Sequence, residues 1–185
     1  MKPHGPWTIV ASQPIYRDPW VTVSRDDVIR PDGQPGTHAV VDIKPGVAVL
    51  ALDDTGFVYL TDEFHYGVGR HTLEVVSGGC NPGEEPLTTA QRELREELGI
   101  DAADWTALGV VDPFTSVGVS PTRLFLARQL TFGEHAQEGT ERIRCVKMSL
   151  AEAIAAVMDS RITHGPSGVL IFKTHHWLTS TLSSA

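Results

Sequence analysis

The chain has 185 residues, 41% hydrophobic and 21% charged, which is typical of one medium globular domain with a sizeable core. Its formal net charge is −8 at pH 7, and an acidic surface repels nucleic acid and anionic membranes, so we expect neither as a partner. The two cysteines, Cys80 and Cys145, provide no disulfide framework and lack metal-ligand spacing. The sequence has no apolar leader and no apolar run of membrane length, which predicts a soluble, cytoplasmic protein.

The first 43 residues are predicted to form a small antiparallel β segment. Three stretches in it are rich in β-branched and aromatic residues: Trp7–Ser12, Pro19–Ser24 and Thr37–Ile43. The run Pro31–Gly36 (PDGQPG) between the last two is a strong turn signal. We therefore divide the chain into an N-terminal β segment, residues 1–43, and a main domain, residues 44–185.

The main domain is predicted to combine six strands with three helices. The strands are Val47–Leu52, Phe57–Phe64, Thr72–Val76, Thr106–Val111, Thr122–Leu130 and Ile143–Met148. Ser149 is a helix cap before a helix over Leu150–Ser160, and a last helix is expected over Ser167–Leu178. Strands interrupted by one helix and followed by two predict an α/β sandwich, in which helices cover a mixed sheet.

The first of the three helices lies in the stretch Gly78–Ile100 (GGCNPGEEPLTTAQRELREELGI), which also contains a glycine turn and an acidic loop. Thr88 with Gln91 matches a capping box, and Gly99 stands where a left-handed residue ends a helix, which predicts a helix over Thr89–Leu98. Apolar residues at three- and four-residue spacing predict its buried face: Leu87, Ala90, Leu94 and Leu98.

Three glutamates, Glu93, Glu96 and Glu97, share one flank of this helix. Two carboxylates about 6 Å apart repel by roughly 3 kcal/mol at an effective dielectric constant of about 20. A divalent cation held by oxygen atoms would offset this repulsion, and Mg²⁺ is favoured because it also bridges phosphates. The alternative interpretation is a solvated charged face, which is the commoner one for an arbitrary glutamate-rich helix.

The whole pattern resembles the Nudix box, which decides between these alternatives. That motif runs glycine, five residues, glutamate, seven residues, then Arg-Glu-apolar-x-Glu-Glu-x-Gly-apolar. The matching positions are Gly78, Glu84, Arg92, Glu93, Leu94, Glu96, Glu97, Gly99 and Ile100. The resemblance implies a Nudix-type α/β/α sandwich with a mixed sheet, preceded here by the small antiparallel β segment, and a metal-dependent hydrolase of diphosphates.

The resemblance also implies roles for the box residues in holding Mg²⁺, with Mn²⁺ as a possible substitute. Glu93 and Glu97 would be metal ligands, together with the backbone carbonyl of Ser77. Glu96 would be either a further ligand or the holder of a metal-bound water, which makes it both a metal and a catalytic candidate.

The remaining box positions are expected to support this site. Arg92 would orient the carboxylates through charge-assisted hydrogen bonds and is counted with the catalytic residues. Glu84 would brace the loop, while Gly78 and Gly79 would let the backbone turn sharply and approach the substrate phosphates. A plain turn would explain the two glycines nearly as well.

The general base is expected in the acidic loop Gly133–Arg142, because similar enzymes take it from a mobile loop near the last strand. Glu138 and Glu141 are the candidates, one to deprotonate water and one to bind a metal, and Glu134 is a weaker third. A solvated loop is the alternative for each of them.

Four residues outside the box are candidates for substrate contact. Arg70 and His65 could meet a phosphate, Trp20 could stack on a base, and Glu74 could accept hydrogen bonds from the base or ribose. Buried or bracing roles are an equally plain explanation for each of the first three.

Beyond the box, the layout looks like the ADP-ribose and nucleoside diphosphate sugar pyrophosphatases. The Pro-Asp-Gly turn at 31–33 and the Thr-Leu-Glu at 72–74 support this. The chain departs from the family at His65, where relatives often carry arginine, and at 75–77 (Val-Val-Ser), where they have Leu-Pro-Ala. At 116–118 it has Ser-Val-Gly in place of the Ser-Pro-Gly of ADP-ribose specialists.

This resemblance implies a Mg²⁺-dependent hydrolase that cleaves ADP-ribose or a related small nucleoside diphosphate sugar into a nucleoside monophosphate and a sugar phosphate. The alternatives are a housecleaning pyrophosphatase acting on another derivative such as GDP-mannose or NADH, and a Nudix sensor that binds without cleaving. The resemblance also implies a homodimer, since relatives exchange the N-terminal segment and build each site from two chains.

Overall fold

The computed structural model describes residues 1–133 and 142–182 of the chain. Two compact units are present, one made of residues 1–45 and 112–121, the other of residues 46–111 and 122–185. None of the helices in the described part of the chain has the length and apolarity needed to cross a membrane.

Twelve strands and three helices are described in residues 1–133 and 142–182. In chain order the elements are β1 (Lys2–His4), β2 (Trp7–Arg17), β3 (Val21–Ile29), β4 (Pro35–Ile43), β5 (Gly46–Leu52), β6 (Phe57–His65), β7 (Arg70–Glu74), β8 (Val76–Gly79), α1 (Pro86–Leu98), β9 (Ile100–Val111), β10 (Gly118–Val119), β11 (Thr122–Phe132), β12 (Arg144–Ser149), α2 (Leu150–Met158) and α3 (Gly165–Leu182).

The first unit is a five-stranded sheet with the order β1-β2-β3-β4-β10. Its strands are antiparallel except β10, which runs parallel to β4. The turn into β3 is fixed by Asp18, whose Oδ1 accepts hydrogen bonds of 2.8 Å from the backbone N–H groups of Trp20 and Val21. The predicted antiparallel segment is therefore present, although β2 continues beyond its predicted end at Ser12.

The second unit contains a mixed seven-stranded sheet. Its main path is β12-β6-β5-β11-β9, while β7 pairs with β6 and β8 pairs with β5. Strand β11 runs parallel to β5 and antiparallel to β9, which makes the sheet mixed as the sequence predicts. Strand β9 begins at Ile100, six positions before the predicted start at Thr106.

Strand β5 separates two hydrophobic cores because its side chains alternate between the faces of the sheet. Ala48 and Leu50 pack into a cluster that includes buried residues of α2 and α3. Val47 and Val49 pack on the other face, in a cluster that includes Leu94 of α1. This unit is thus a sheet between α1 on one side and α2 with α3 on the other, so the predicted α/β/α sandwich is confirmed.

The predicted start of α1 is wrong. The helix begins at Pro86 with Glu85 as N-cap, three residues before Thr89, and the proposed capping box of Thr88 with Gln91 does not form the cap. Proline is favourable at the first helical position because its φ is already helical and its missing N–H has no intrahelical partner there. The predicted C-terminus is confirmed, since Gly99 has φ 63° and is left-handed.

The predicted apolar stripe of α1 is correct except at its first member. Ala90, Leu94 and Leu98 are buried, whereas Leu87 is 39% exposed. Leu87 lies in the first turn, which the earlier start at Pro86 adds to the helix. The buried face therefore starts one turn later than the stripe predicts.

Helix α2 is capped as expected. The side chain of Ser149 accepts a hydrogen bond from the backbone of Glu152, whose carboxylate in turn accepts from the Ser149 backbone. The helix ends at Met158 and not at the predicted Ser160, because Ser160 has the left-handed φ of 65°.

Candidate active site

Helix α1 places three of the four box glutamates, Glu93, Glu96 and Glu97, in partly buried or buried positions. Burial of Leu94 and Leu98 fixes the rotation of the helix, and Glu97 is consequently buried. The side chains of Glu93 and Glu96 are 14% and 31% exposed. These carboxylates thus occupy partly buried or buried positions of α1 and do not lie on a fully solvated face.

The guanidinium of Arg92 contacts three of the acidic side chains. Its Nη1 lies 2.9 Å from Glu93 Oε1 and 2.9 Å from Glu96 Oε2. Its Nε and Nη2 donate to the two carboxylate oxygens of Glu84 at 3.0 and 3.2 Å, a bidentate pair. Nη2 also donates to the carbonyl of Gly79 at 3.3 Å, so one cation joins the helix, the loop before it and the end of β8. The sharp turn predicted at Gly78 and Gly79 is wrong, because both residues are paired with β5 as part of β8.

These contacts shift the protonation equilibria of both partners. Hydrogen bonds from Arg92 and from the backbone N–H of Asn81 lower the pKa of Glu84 to about 2. The pKa of Arg92 is raised above its ordinary value, chiefly by the hydrogen bond to Glu84 and also by Glu96 and Glu93. Glu84 is therefore ionised throughout the neutral range and holds the loop to the helix.

The Glu93 carboxylate can lie against β8 because Gly78 has no side chain. A Cβ atom built on Gly78 would lie 2.0 Å from Glu93 Cδ and 2.1 Å from its Oε1. No side chain can occupy that space, so the carboxylate rests directly on the backbone of β8. The sequence predicts that the substrate phosphates approach this glycine closely. In the structure, the group that lies close to it is the Glu93 carboxylate.

The donor set of this region fits a hard divalent cation, because it consists of carboxylate oxygens beside the backbone of β8. Among the described residues, however, no group of three acidic, histidine or cysteine side chains is arranged to hold an ion. Arg92 instead lies between Glu93 and Glu96. Repulsion among the glutamates alone therefore does not require a metal, since the guanidinium already offsets part of it.

The predicted substrate residues His65 and Glu74 contact each other. The Nε2 atom of His65 lies 3.3 Å from Glu74 Oε1, and Thr72 donates to the same oxygen at 2.6 Å. His164 Nδ1 lies 2.9 Å from the other oxygen, Oε2, and 2.8 Å from Ser167 Oγ. The buried Glu74 carboxylate is thus enclosed by two histidines and a hydroxyl.

Burial by itself raises the pKa of Glu74, but the hydrogen bonds from His164 and Thr72 and the charge of His65 outweigh it and lower the pKa. Arg70, a predicted phosphate contact, donates from Nη2 to Thr163 Oγ1 at 2.8 Å. His65, Arg70 and Glu74 are therefore all bonded to protein groups, and their predicted contacts with substrate stay predictions.

Trp20 and the glutamates of the acidic loop 133–142 are the remaining predicted site residues. Trp20 is an exposed side chain of the first unit, at the turn into β3. Glu138 and Glu141, the candidate bases, and Glu134 lie outside the described residues.

The sequence interpretation did not identify His164 and Ser167 as residues near the box. His164 immediately precedes α3, and Ser167 lies in the first turn of that helix. Ser167 is fully buried, and its Oγ accepts a hydrogen bond of 3.0 Å from the backbone N–H of Val75. The run His-Gly-Pro-Ser at 164–167 has no spacing that predicts a contact with a strand so far away in sequence.

Two family profiles match the chain and together cover most of it. Residues 42–162 match the NUDIX domain. Residues 7–41 match the nucleoside diphosphate sugar hydrolase N-terminal domain.

Two bacterial ADP-ribose pyrophosphatases and one solved structure are similar to this chain over long stretches. An ADP-ribose pyrophosphatase of Bacillus subtilis is 30% identical over 157 residues, which cover 83% of this chain and 84% of the relative. An ADP-ribose pyrophosphatase of Mycobacterium tuberculosis is 32% identical over 122 residues, or 65% of this chain and 59% of that protein. A crystal structure of an ADP compounds hydrolase superposes with a TM-score of 0.83 at 23% identity and covers 98% of both chains, which shows the same fold.

Proposed function

The chain belongs to the Nudix hydrolases, and from this we propose that it hydrolyses the diphosphate of ADP-ribose or of a related nucleoside diphosphate sugar. The proposal includes Mg²⁺ as the activating ion, with Mn²⁺ able to replace it. The products would be a nucleoside monophosphate and a sugar phosphate.

One observation supports this function above the others: three of the four box glutamates, Glu93, Glu96 and Glu97, lie on α1, with Glu93 against the backbone of Gly78. The match of residues 7–41 to the nucleoside diphosphate sugar hydrolase N-terminal domain favours that substrate class. Two relatives named ADP-ribose pyrophosphatase favour ADP-ribose as the first substrate to test.

The reaction adds one water molecule across the anhydride. The water oxygen bonds to one phosphorus, the bond between that phosphorus and the bridging oxygen breaks, and the bridging oxygen leaves with the other phosphate. A divalent cation, when bound, neutralises the phosphate oxygens and makes the attacking water more acidic. The proton of the water passes to a base, for which Glu138 and Glu141 remain our candidates.

The chain's own residues prepare this reaction through position and charge. Glu93, Glu96 and Glu97, together with the carbonyl of Ser77, would hold the ion. Arg92 keeps the Glu93 and Glu96 carboxylates in place and links them to the loop. Gly78 has no side chain and so leaves room for the Glu93 carboxylate against β8.

The test is a substrate panel with product identification. The purified protein is incubated with ADP-ribose, GDP-mannose, UDP-glucose and NADH, each with Mg²⁺, with Mn²⁺ and with chelator, and products are separated by chromatography. We expect metal-dependent release of a monophosphate and a sugar phosphate, fastest from ADP-ribose. Hydrolysis of none of the four would refute the proposal.

Other patterns in the same panel separate the alternatives. Faster cleavage of GDP-mannose or NADH than of ADP-ribose would favour the housecleaning function. Calorimetric binding of a nucleotide sugar without turnover would favour a sensor.

A matched pair of variants tests the carboxylate assignment. Glu97→Gln removes a buried acid of α1, whereas Glu85→Gln changes an exposed glutamate whose side chain forms no cap for the same helix. We expect the first to lower kcat by at least about 100-fold, as removal of one transition-state charge interaction does, and the second to leave it unchanged. Full turnover by Glu97→Gln would contradict the assignment.

The proposal extends to location and assembly. We propose a cytoplasmic homodimer. The free thiols Cys80 and Cys145 are in keeping with a reducing compartment. The support for the dimer lies in the first unit and is argued in the Discussion.

A further inference from the structure

The chain changes pairing partner at Val75, just before the strand that contains Gly78 and Gly79. Strand β7 ends at Glu74 and pairs with β6, while β8 begins at Val76 and pairs with β5. The sequence predicts one continuous strand over Thr72–Val76, which is wrong because Val75 belongs to neither ladder. At this changeover the chain moves from one partner to the next within three residues.

Two side-chain hydroxyls form hydrogen bonds with the backbone at the changeover. The buried N–H of Val75 donates to Ser167 Oγ at 3.0 Å. The carbonyl of Glu74 accepts from Thr61 Oγ1 at 3.3 Å. A buried backbone N–H without a partner is destabilising, so the position of Ser167 decides where this segment of backbone can lie.

His164 in turn fixes Ser167. Its Nδ1 lies 2.8 Å from Ser167 Oγ and 2.9 Å from Glu74 Oε2. An ionised carboxylate only accepts hydrogen bonds, so we assign the proton to Nδ1 of His164, which then donates to both oxygens. One N–H group thus holds the carboxylate of the last residue of β7 and the hydroxyl that holds Val75.

We propose that His164 and Ser167 are positioning residues for the active site and act through β8. This inference rests on the proposed function, because it concerns the strand that presents the Ser77 carbonyl. Ser77 and Gly78 lie two and three residues after Val75, and Gly78 is the surface on which the Glu93 carboxylate rests. A displacement of the changeover moves the carbonyl and this surface together.

The consequence is a connection from the start of α3 to the box on the opposite side of the sheet. Helix α3 packs in the core that contains Leu50, whereas α1 packs in the core that contains Val49. His164 and Ser167 therefore have no need to touch substrate, and their effect is on where the strand between the two layers lies.

The test compares three variants with one control. Ser167→Ala removes the acceptor for Val75, His164→Ala removes the shared donor, and His164→Asn places an amide N–H where Nδ1 stands. The control is Thr174→Val, which removes another fully buried hydroxyl of α3 whose Oγ1 has no hydrogen-bond partner among the described residues. Each protein is assayed for Mn²⁺ affinity by electron paramagnetic resonance, for kcat and KM, and for Tm.

We expect Ser167→Ala and His164→Ala to weaken Mn²⁺ binding about tenfold, as loss of outer support for metal ligands does, and to lower kcat more than they raise KM. His164→Asn should keep the Mn²⁺ affinity and kcat within about threefold of the wild-type values, since it keeps the hydrogen-bond donor. Thr174→Val should match the wild type.

Several results would overturn the inference. Wild-type Mn²⁺ affinity in Ser167→Ala and His164→Ala, with only Tm reduced, would leave both residues a purely structural role. The inference also fails if the wild type binds no Mn²⁺, or if His164→Asn has the same Mn²⁺ affinity and kcat as His164→Ala. If Ser167→Ala does not fold, the two His164 variants decide the question.

The outcomes also separate this inference from the proposed function. A wild type that cleaves no nucleotide sugar but shows the expected order of Mn²⁺ affinities would refute the substrate and retain the positioning role. A wild type that cleaves ADP-ribose, with variants that bind Mn²⁺ equally well, would do the reverse.

Discussion

Arg92 contacts the loop before α1, the helix itself and the end of β8, and so links three segments of the candidate site. A guanidinium can do this because its donors point along fixed directions in one plane, whereas a lysine ammonium would serve fewer acceptors at once. The three acids that it contacts differ in exposure, and Glu84 and Glu93 are the more buried. Arg92 contacts Glu93 through Oε1 and Glu96 through Oε2, that is, through one oxygen of each carboxylate. Charge compensation by Arg92 is therefore compatible with charge compensation by a divalent cation.

Gly78 should not tolerate an added methyl group. Gly78→Ala would place a carbon 2.0 Å from Glu93 Cδ and force the carboxylate away from the strand. Misplacement of a reacting group by about 1 Å can lower the rate by about 100-fold, and we expect a loss of that size in kcat/KM. Gly67→Ala is the control, since a Cβ there meets no atom within 4 Å, and it should leave the rate unchanged.

Glu84 should stabilise the fold in a pH-dependent way. Its pKa falls from the ordinary 4.5 to about 2, so its contribution is complete above pH 4.5 and is lost as the pH falls through 2. We expect Glu84→Gln to cost about 2 kcal/mol at pH 7, the scale of hydrogen bonds to a charged group.

Urea unfolding of the wild type and Glu84→Gln between pH 7 and pH 2 checks this. The difference between the two should be constant down to about pH 5 and then shrink. Glu85→Gln, a change at an exposed neighbour, should give no such trend. A difference that stays constant to pH 2 would rule out the Arg92 pair as its source.

At the scale of elements, the two helix starts illustrate what local sequence can predict. Ser149 and Glu152 form the expected capping box at α2, because both groups lie within one turn. At α1 the similar pattern Thr88–Gln91 is overridden by Pro86, which starts the helix earlier and leaves the N-cap Glu85 without a side-chain cap bond. A cap motif is thus a dependable signal only where no stronger start signal precedes it.

Helix stability should follow the observed caps and not the predicted ones. Ser149→Ala should cost about 1 kcal/mol, and Glu85→Asp should gain about 0.5–1 kcal/mol by supplying an oxygen that can reach the first turn. Thr88→Ala should change the free energy of unfolding by less than about 0.5 kcal/mol. Thermal and urea unfolding measure all three, and a cost near 1 kcal/mol for Thr88→Ala would restore the capping box.

Over the whole molecule, the range of an interaction decides whether it could be predicted from sequence. Alternating and helical periodicities identify the central strands and the three helices of residues 1–133 and 142–182, since each depends on neighbours within a few residues. The strands β1 and β10 are three and two residues long, too short for a pattern. The bond between Val75 and Ser167 joins residues 92 positions apart, so it follows from the folded topology alone.

The first unit contains the support for a homodimer. Strand β1 pairs with β2 only from Trp7 to Ile9, yet β2 continues to Arg17, and every residue from Val10 to Arg17 is exposed. Exposed large apolar side chains in this unit include Val10, Ile15, Tyr16, Trp20 and Phe114. A long strand with bare faces and apolar side chains is a surface that proteins normally cover, and a second copy of the chain would do so.

Sedimentation equilibrium at micromolar concentration should therefore give the mass of a dimer. Ile15→Lys, which puts a charge on a side chain that is 63% exposed in β2, should weaken association at least about tenfold, because a buried interface excludes an unpaired charge. Met158→Lys is the matched control, since Met158 is 74% exposed but lies in the second unit at the end of α2. It should leave the dimer intact. A monomeric wild type would refute the proposed dimer. Equal weakening of association by both variants would show that the interface does not involve β2.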